Sequence, residues 1–236
     1  MTKTVVLFDL GGTLVEYYDT GEFLPILEAA VQDVSCSLRE RGVAPPAWDD
    51  VWQRTLDENY EANDYRVRPL EDRLRRIVAL EQLDHTEITI CDICRTFMGP
   101  IFRRARVYED TLPVLDELRS SGLRTAIVSN TPWGSPADLW YEELDRLAIA
   151  PWVDSVVFCR DAGWRKPAPP ILSLVLQRLQ AGANDCLFMG DDPRWDVVGA
   201  QAVGMDVVLV GRKERYPDAG VRRLPDLYGL RHVVAD

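Results

Sequence analysis

Five short, nearly unbroken apolar runs punctuate the chain: TVVLFD (4–9), RTAIVSN (124–130), DSVVFC (154–159), DCLFMG (185–190) and DVVLV (206–210). Runs of this kind, rich in β-branched residues and without polar alternation, predict strands buried on both faces, as in a parallel sheet. Between them the apolar positions change to helical spacing. DTLPVLDELRSSG (110–122) predicts a helix stopped at Gly122, and PAPPILSLVLQRLQAG (167–182) predicts one that opens on prolines and ends at Gly182. Alternating strand and helix predict a doubly wound, Rossmann-like α/β core.

One segment breaks the alternation. From about Glu16 to Arg106 no convincing strand pattern occurs, only amphipathic helical stretches such as FLPILEAAVQDVSCSLRERG and LEDRLRRIVALEQL, punctuated by GVAPPAW. A structureless loop of that length is improbable in a compact domain. We therefore expect a helical cap subdomain over 16–106, inserted into a core formed by 1–15 and 107–236. Its place after the first strand would set it above the sheet edge where open α/β folds bind ligands.

Composition narrows the possible partners. The chain has 236 residues, 47% of them hydrophobic, which suffices for a substantial core. A formal net charge of −11 repels polyanions, so nucleic acid is not expected as a partner. No stretch has the ~20 apolar residues of a membrane span, and the opening apolar run is too short for a secretory signal. The expectation is a cytoplasmic protein, monomer or homodimer. The five cysteines fit a reducing compartment better than a disulfide framework. Cys91 and Cys94 form one CxxC with His85 upstream, but a structural zinc site needs four ligands. Buried small side chains one helical turn apart are the expected reading there.

Chemistry gathers where the strands end. Asp9 closes the first run, Ser129 and Asn130 the second, Lys166 follows the third in GWRKPAPP, and Asp191, Asp192 and Asp196 follow the fourth. Clustered carboxylates repel one another unless a hard cation sits among them, and Mg²⁺ takes one or two carboxylates together with substrate phosphate. A carboxylate attacking phosphate also meets like-charge repulsion, about 4 kcal/mol per unit pair at ~4 Å in a moderate dielectric. Lys166 and Mg²⁺ would offset it, Ser129 would hold phosphoryl oxygens, and Asp9 could act as nucleophile through an aspartyl phosphate.

These segments resemble the haloacid dehalogenase-like superfamily. FDLGGTL is similar to its first motif, TAIVSN to its second, the lysine of RKP to its third and MGDDPRWDVVGAQAVGM to its fourth, all in the family's order. The helical insert resembles a cap of the first type. The resemblance implies a phosphatase acting on a small phosphorylated metabolite. It makes Asp9 the nucleophile, Ser129 a phosphate contact with Asn130 adjoining, and Lys166 the neutralising lysine. Asp191 and the backbone carbonyl of Gly11 become metal ligands beside Asp9, and Asp196 the acid orienting the metal shell. Asp192 fits a metal role and a helix-start role equally.

Gly11 departs from the pattern. Family phosphatases usually carry there a second aspartate that protonates the leaving group and then activates water, help worth about 10²–10⁴ in rate. Three readings stay open: a hydrolase with an undemanding leaving group or a borrowed carboxyl such as Glu16, a slow or phosphate-trapping variant, and a phospho-ligand or partner-binding protein. A metal-free dehalogenase would carry a tyrosine at the Gly11 position and lack the acid cluster. A phosphonatase would need a cap lysine, and none lies between Lys3 and Lys166. Arg66, Arg68, Arg73, Arg75 and Arg76 could grip a second anion, though a solvated helix face with Glu71 and Asp72 as partners is the more ordinary reading. Trp133 and Trp164 could line the pocket or pack in the core.

Overall fold

The computed structural model describes residues 3–80, 89–212 and 220–234. Each of the five apolar runs is a strand of one parallel sheet: β1 (Val5–Phe8), β4 (Arg124–Ser129), β5 (Ser155–Phe158), β6 (Cys186–Gly190) and β7 (Asp206–Val210). A two-residue strand, β8 (Arg223–Leu224), joins at the edge, and the order is β5-β4-β1-β6-β7-β8. With β1 central, the chain leaves to β4 on one side and returns to β6 on the other. This is the switch point at which doubly wound sheets open a crevice.

Alternation along β1 explains its continuous apolar run. Val5 and Leu7 pack on one face with Ile171, Leu172 and Val175 of α8 (Pro169–Leu179) and with Ala200 of α9 (Val198–Ala202). Val6 and Phe8 point to the other face. There they meet Val114 and Leu118 of α5 (Thr111–Ser120), Leu144 of α6 (Ala137–Arg146) and Leu230 of α10 (Leu230–Val234). The stop at Gly122 holds, whereas α8 ends before Gly182. Gln180 takes the left-handed conformation (φ 49°), and the Ala181 amide bonds back to the Leu176 carbonyl at 3.0 Å.

Among the described residues, four α-helices precede α5 in the segment between β1 and β4: α1 (Phe23–Glu40), α2 (Trp48–Glu58), α3 (Leu70–Ile77) and α4 (Ile90–Phe102). Their apolar stripes, Ile26, Val31, Leu74 and Phe97 among them, belong to the same packed cluster as Val6 and Phe8. A reciprocal Thr89–Asp92 capping box starts α4. Two-residue strands, β2 (Val15–Glu16) and β3 (Arg106–Val107), pair antiparallel where the chain leaves and re-enters the sheet region. They are too short to show a period-two signal. The helical segment also touches the lysine loop. Arg165 N–H donates to the Tyr65 carbonyl at 2.8 Å and Val67 N–H to the Gly163 carbonyl at 3.1 Å.

Candidate active site

The parallel register of β4, β1 and β6 brings their carboxyl ends to one edge, so Asp9, Ser129 and Asp191 converge. Lys166 joins them from the loop between α7 (Cys159–Ala162) and α8. Its Nζ lies 2.6 Å from Asp9 Oδ1 and 2.7 Å from Asp196 Oδ1, with the side chain only 2% exposed. Burial by itself would lower the ammonium pKa. Asp196 and then Asp9 outweigh it, and the net shift is upward, so Lys166 is a fixed positive charge.

Asp9 Oδ1 is pinned twice, by Lys166 and by Ser129 Oγ at 2.9 Å. Asp9 Oδ2 takes no hydrogen bond from the described residues, and Asp9 lines the cavity described below. Asp196 differs. Its Oδ1 accepts from Lys166, and its Oδ2 accepts the backbone N–H groups of Asp191 and Asp192, each at 3.0 Å. Burial, opposed by Lys166, pushes its carboxyl up to about 6. With both oxygens engaged, Asp196 braces the lysine and the turn after β6.

The Asp191 carboxylate accepts no hydrogen bond from the described residues. Burial first, then Asp9, Asp196 and Asp192, hold it well above the usual carboxylate range. It lies against Gly12, which has φ +82°; a Cβ there would fall 2.3 Å from Asp191 Oδ2. Glycine is therefore required at position 12 both by conformation and by close approach. One oxygen from each of Asp9, Asp191 and Asp196 lies within 4.8 Å of the others. An all-oxygen cluster with excess negative charge suits a hard divalent cation, which would relieve the repulsion on Asp191.

The space above these groups is a cavity of about 260 Å³. Of the expected residues, Asp9, Gly11, Glu16, Ser129, Asn130, Lys166, Asp191, Asp192 and Asp196 all line it. Two of them have evident structural duties. The Asn130 amide brackets the Lys166 backbone, donating to its carbonyl at 3.1 Å and accepting from its N–H at 2.8 Å. Asp192 caps the π-helical turn Pro193–Val197, accepting from Arg194 N–H at 2.9 Å, and also binds the Arg194 guanidinium.

Spacing along the chain did not single out Tyr17, Trp140 and Arg165, which share the cavity wall. Tyr17 matters most, because its ring fills the space beside Gly11: a Cβ on Gly11 would meet Tyr17 Cδ2 at 3.6 Å. The ring stands edge-on to Trp140 with centroids 5.5 Å apart. The phenol is buried and its oxygen has no hydrogen-bond partner among the described residues. Burial, then Glu143 and, more weakly, Asp9 hold its pKa well above 10, against Arg146, so it stays protonated. The only signal in the sequence is its nearness to the first motif.

The arginines divide. Arg68 pairs with Asp64, Arg75 with Asp72 and Arg76 with Glu58, as a solvated surface would have it. Glu71 instead pairs with Arg160, and Arg73 is buried rather than solvated. The Arg66 guanidinium lies 4.3 Å over the Trp164 ring. Trp133 packs tilted on Phe97 with centroids 5.4 Å apart, joining the loop after β4 to α4. In the CxxC, Cys94 is buried but Cys91 is exposed, correcting the expectation that both are buried. Successive helical positions i and i+3 here straddle the edge of the buried stripe. His85 lies outside the described residues. No helix among the described residues is long and apolar enough to cross a membrane.

Comparison with known proteins agrees with this geometry. Over 225 residues the chain is 27% identical to a glyceraldehyde 3-phosphate phosphatase of Methanopyrus kandleri, covering 94% of this chain and 89% of that one. A ribulose-1,5-bisphosphate 5-phosphatase of Halopiger xanaduensis is 33% identical over 105 residues; the match spans 44% of this chain but only 42% of that protein. The crystal structure of a haloacid dehalogenase-type phosphatase from Thermococcus onnurineus superposes with TM-score 0.69 at 22% identity, covering 99% of this chain and 98% of that one, and shows the shared fold. Residues 3–204 match the family model for haloacid dehalogenase-like hydrolases. With the motif residues assembled at one sheet edge and most of the chain matched, the protein belongs to the haloacid dehalogenase-like hydrolase family.

Proposed function

We propose that this chain is a Mg²⁺-dependent phosphatase that cleaves a small phosphorylated metabolite by nucleophilic attack of Asp9. The carrying observation is the asymmetry at Asp9, which lines the cavity: Oδ1 is held by Lys166 and Ser129, while Oδ2 has no donor among the described residues. The substrates in the relatives' names, a triose phosphate and a sugar bisphosphate, support the same class.

On this reading the substrate phosphoryl group enters with its oxygens toward Lys166 and Ser129. Asp9 Oδ2 bonds to phosphorus as the ester P–O bond breaks, giving an aspartyl phosphate and the free alcohol. Water then attacks phosphorus, releasing inorganic phosphate and restoring the carboxylate. Asp9, Asp191 and the Gly11 carbonyl would hold Mg²⁺, with Asp196 as brace; when bound, the ion neutralises phosphoryl charge. We read 16–106 as a cap of the first type over a core of 1–15 and 107–236. Since Gly11 brings no acid, the leaving oxygen is served by Glu16 or needs little protonation.

The test is hydrolysis of p-nitrophenyl phosphate and a panel of sugar and triose phosphates, with MgCl₂ or chelator. Turnover that needs the metal and vanishes in Asp9→Asn supports the proposal. Metal-independent turnover, or turnover retained by Asp9→Asn, defeats it. A second reading draws on Tyr17, whose ring packs beside Gly11, the position at which dehalogenases of the family carry a tyrosine. Attack of Asp9 on a carbon–halogen bond would leave Asp191 without a neutralising partner. Chloride release from chloroacids would favour this second reading.

A further inference from the structure

A second cavity, about 250 Å³, adjoins the first and shares Tyr18, Asn130, Pro132 and Arg165 with it. On a chain of net charge −11 its wall carries three arginines, Arg68, Arg73 and Arg165, against one carboxylate, Glu61. Asp64 neutralises Arg68 at 2.8 Å. The other two cations are poorly compensated.

Arg73 is 5% exposed and lies between the Tyr60 and Trp133 rings, 5.1 and 5.2 Å from their centroids. Its Nη atoms donate to the backbone carbonyls of Glu58 and Tyr60. The Glu58 carboxylate is occupied by Arg76, so among the described residues no carboxylate pairs with Arg73 and its buried Nε has no partner. Burial lowers its pKa; Tyr60 and Glu58 oppose the shift and Arg165 adds to it, so the two guanidiniums repel across this space. Arg165 meets Glu61 at 3.2 Å, but that carboxylate is 60% exposed, and the buried Arg165 Nε likewise has no partner among the described residues. Two mutually repelling guanidiniums lining a cavity that adjoins the nucleophile's pocket are complementary to an anion.

We propose that this cavity is a subsite for a second anionic group on the substrate, a carboxylate or a phosphate. The inference rests on the phosphatase reading for its substrate frame and makes short, doubly anionic phosphate esters the preferred class. With the phosphoryl group at Asp9, the shared wall of Asn130 and Arg165 leads the rest of the ester into the arginine pair.

The experiment compares matched substrates that differ only in the second anion: ethyl phosphate against 2-phosphoglycolate, and propyl phosphate against 1,3-propanediol bisphosphate. Charge-assisted pairing predicts a kcat/KM ratio of roughly ten-fold or more for the doubly anionic member of at least one pair. That ratio collapses toward one in Arg165→Gln, and in Arg73→Gln if that variant folds. The arm that shows the preference identifies carboxylate or phosphate. Isothermal titration of Asp9→Asn with the same four compounds and MgCl₂ reads the subsite without turnover. Silence toward every ester, p-nitrophenyl phosphate included, defeats the phosphatase reading while the titration still decides this one. Ratios near one in the wild type and in the titration, or a ratio unchanged in Arg165→Gln, overturn it.

Discussion

Tyr17 lies across Gly11: a methyl group on Gly11 would rest 3.6 Å from Tyr17 Cδ2 and 3.9 Å from Cε2. These are ordinary contacts, so Gly11→Ala should fold and retain turnover. A carboxyl at this place must push the ring aside, and if it does so it restores the missing acid. Gly11→Asp, with Tyr17→Ala beside it to make room, should therefore raise kcat/KM for alkyl phosphates at least ten-fold relative to p-nitrophenyl phosphate, whose leaving group needs little protonation. An unchanged ratio in the double variant would show that Gly11 is not where acid help is lacking.

The neighbouring glycine should behave in the opposite way. Gly12 has a positive φ, and a Cβ there would overlap the Asp191 carboxylate at 2.3 Å. Gly12→Ala should lose activity by more than about 100-fold, as expected when a catalytic group is displaced by about 1 Å. Steady-state kinetics on Gly11→Ala and Gly12→Ala side by side would check this. Equal activities would contradict the geometry.

Lys166 offsets the charge of Asp9 and Asp196. Removing one partner of a buried ion pair typically costs about 3–5 kcal/mol. Lys166→Met should be destabilised by that order in urea unfolding, and MgCl₂ should restore more stability to the variant than it adds to the wild type. An equal effect of MgCl₂ on both proteins would mean the cation does not enter the acid cluster.

A second buried pair ties the first motif to the C-terminal region. Arg212 holds Asp110 with two bonds of 2.8 and 2.7 Å and also donates to the Thr13 carbonyl at 2.9 Å, while Asp110 accepts the Leu227 N–H at 2.8 Å. Asp110→Ala should lower stability by about 3–5 kcal/mol, with Leu227 N–H losing its acceptor and Arg212 its counter-charge. A loss under about 1 kcal/mol by chemical unfolding would show that the pair is replaceable.

Burial pushes the Cys94 thiol up to about 12 and Cys186 up to about 11. An unfolded thiol titrates near 8.5, so above that pH the unfolded chain releases protons that the folded chain keeps. The stability contribution is complete below about pH 8.5 and is lost as pH rises toward the folded values. Cys94→Ala should show a shallower decline than the wild type between about pH 8 and about pH 10.5. Parallel declines in urea midpoint would refute the assignment.

The amino-acid pattern alone determined the five main strands, the helical character of the long segment between β1 and β4, and the identity of the strand-end residues. Both faces of β1 are buried, so Val5–Phe8 had to be an apolar run, and Asp9 had to mark its end. These are signals of neighbours in the chain, which periodicity records. Only the tertiary structure could place Tyr17 on Gly11 or bring Arg73 and Arg165 to one cavity, and only it engaged both oxygens of Asp196 while leaving the Asp191 carboxyl without a donor among the described residues. The arginine pair and the Lys166–Asp196 contact depend on how separate segments pack in space, and the rest on how the turns after β1 and β6 fold back. Contacts between residues far apart in sequence leave no period in the chain, because packing rather than local spacing sets them.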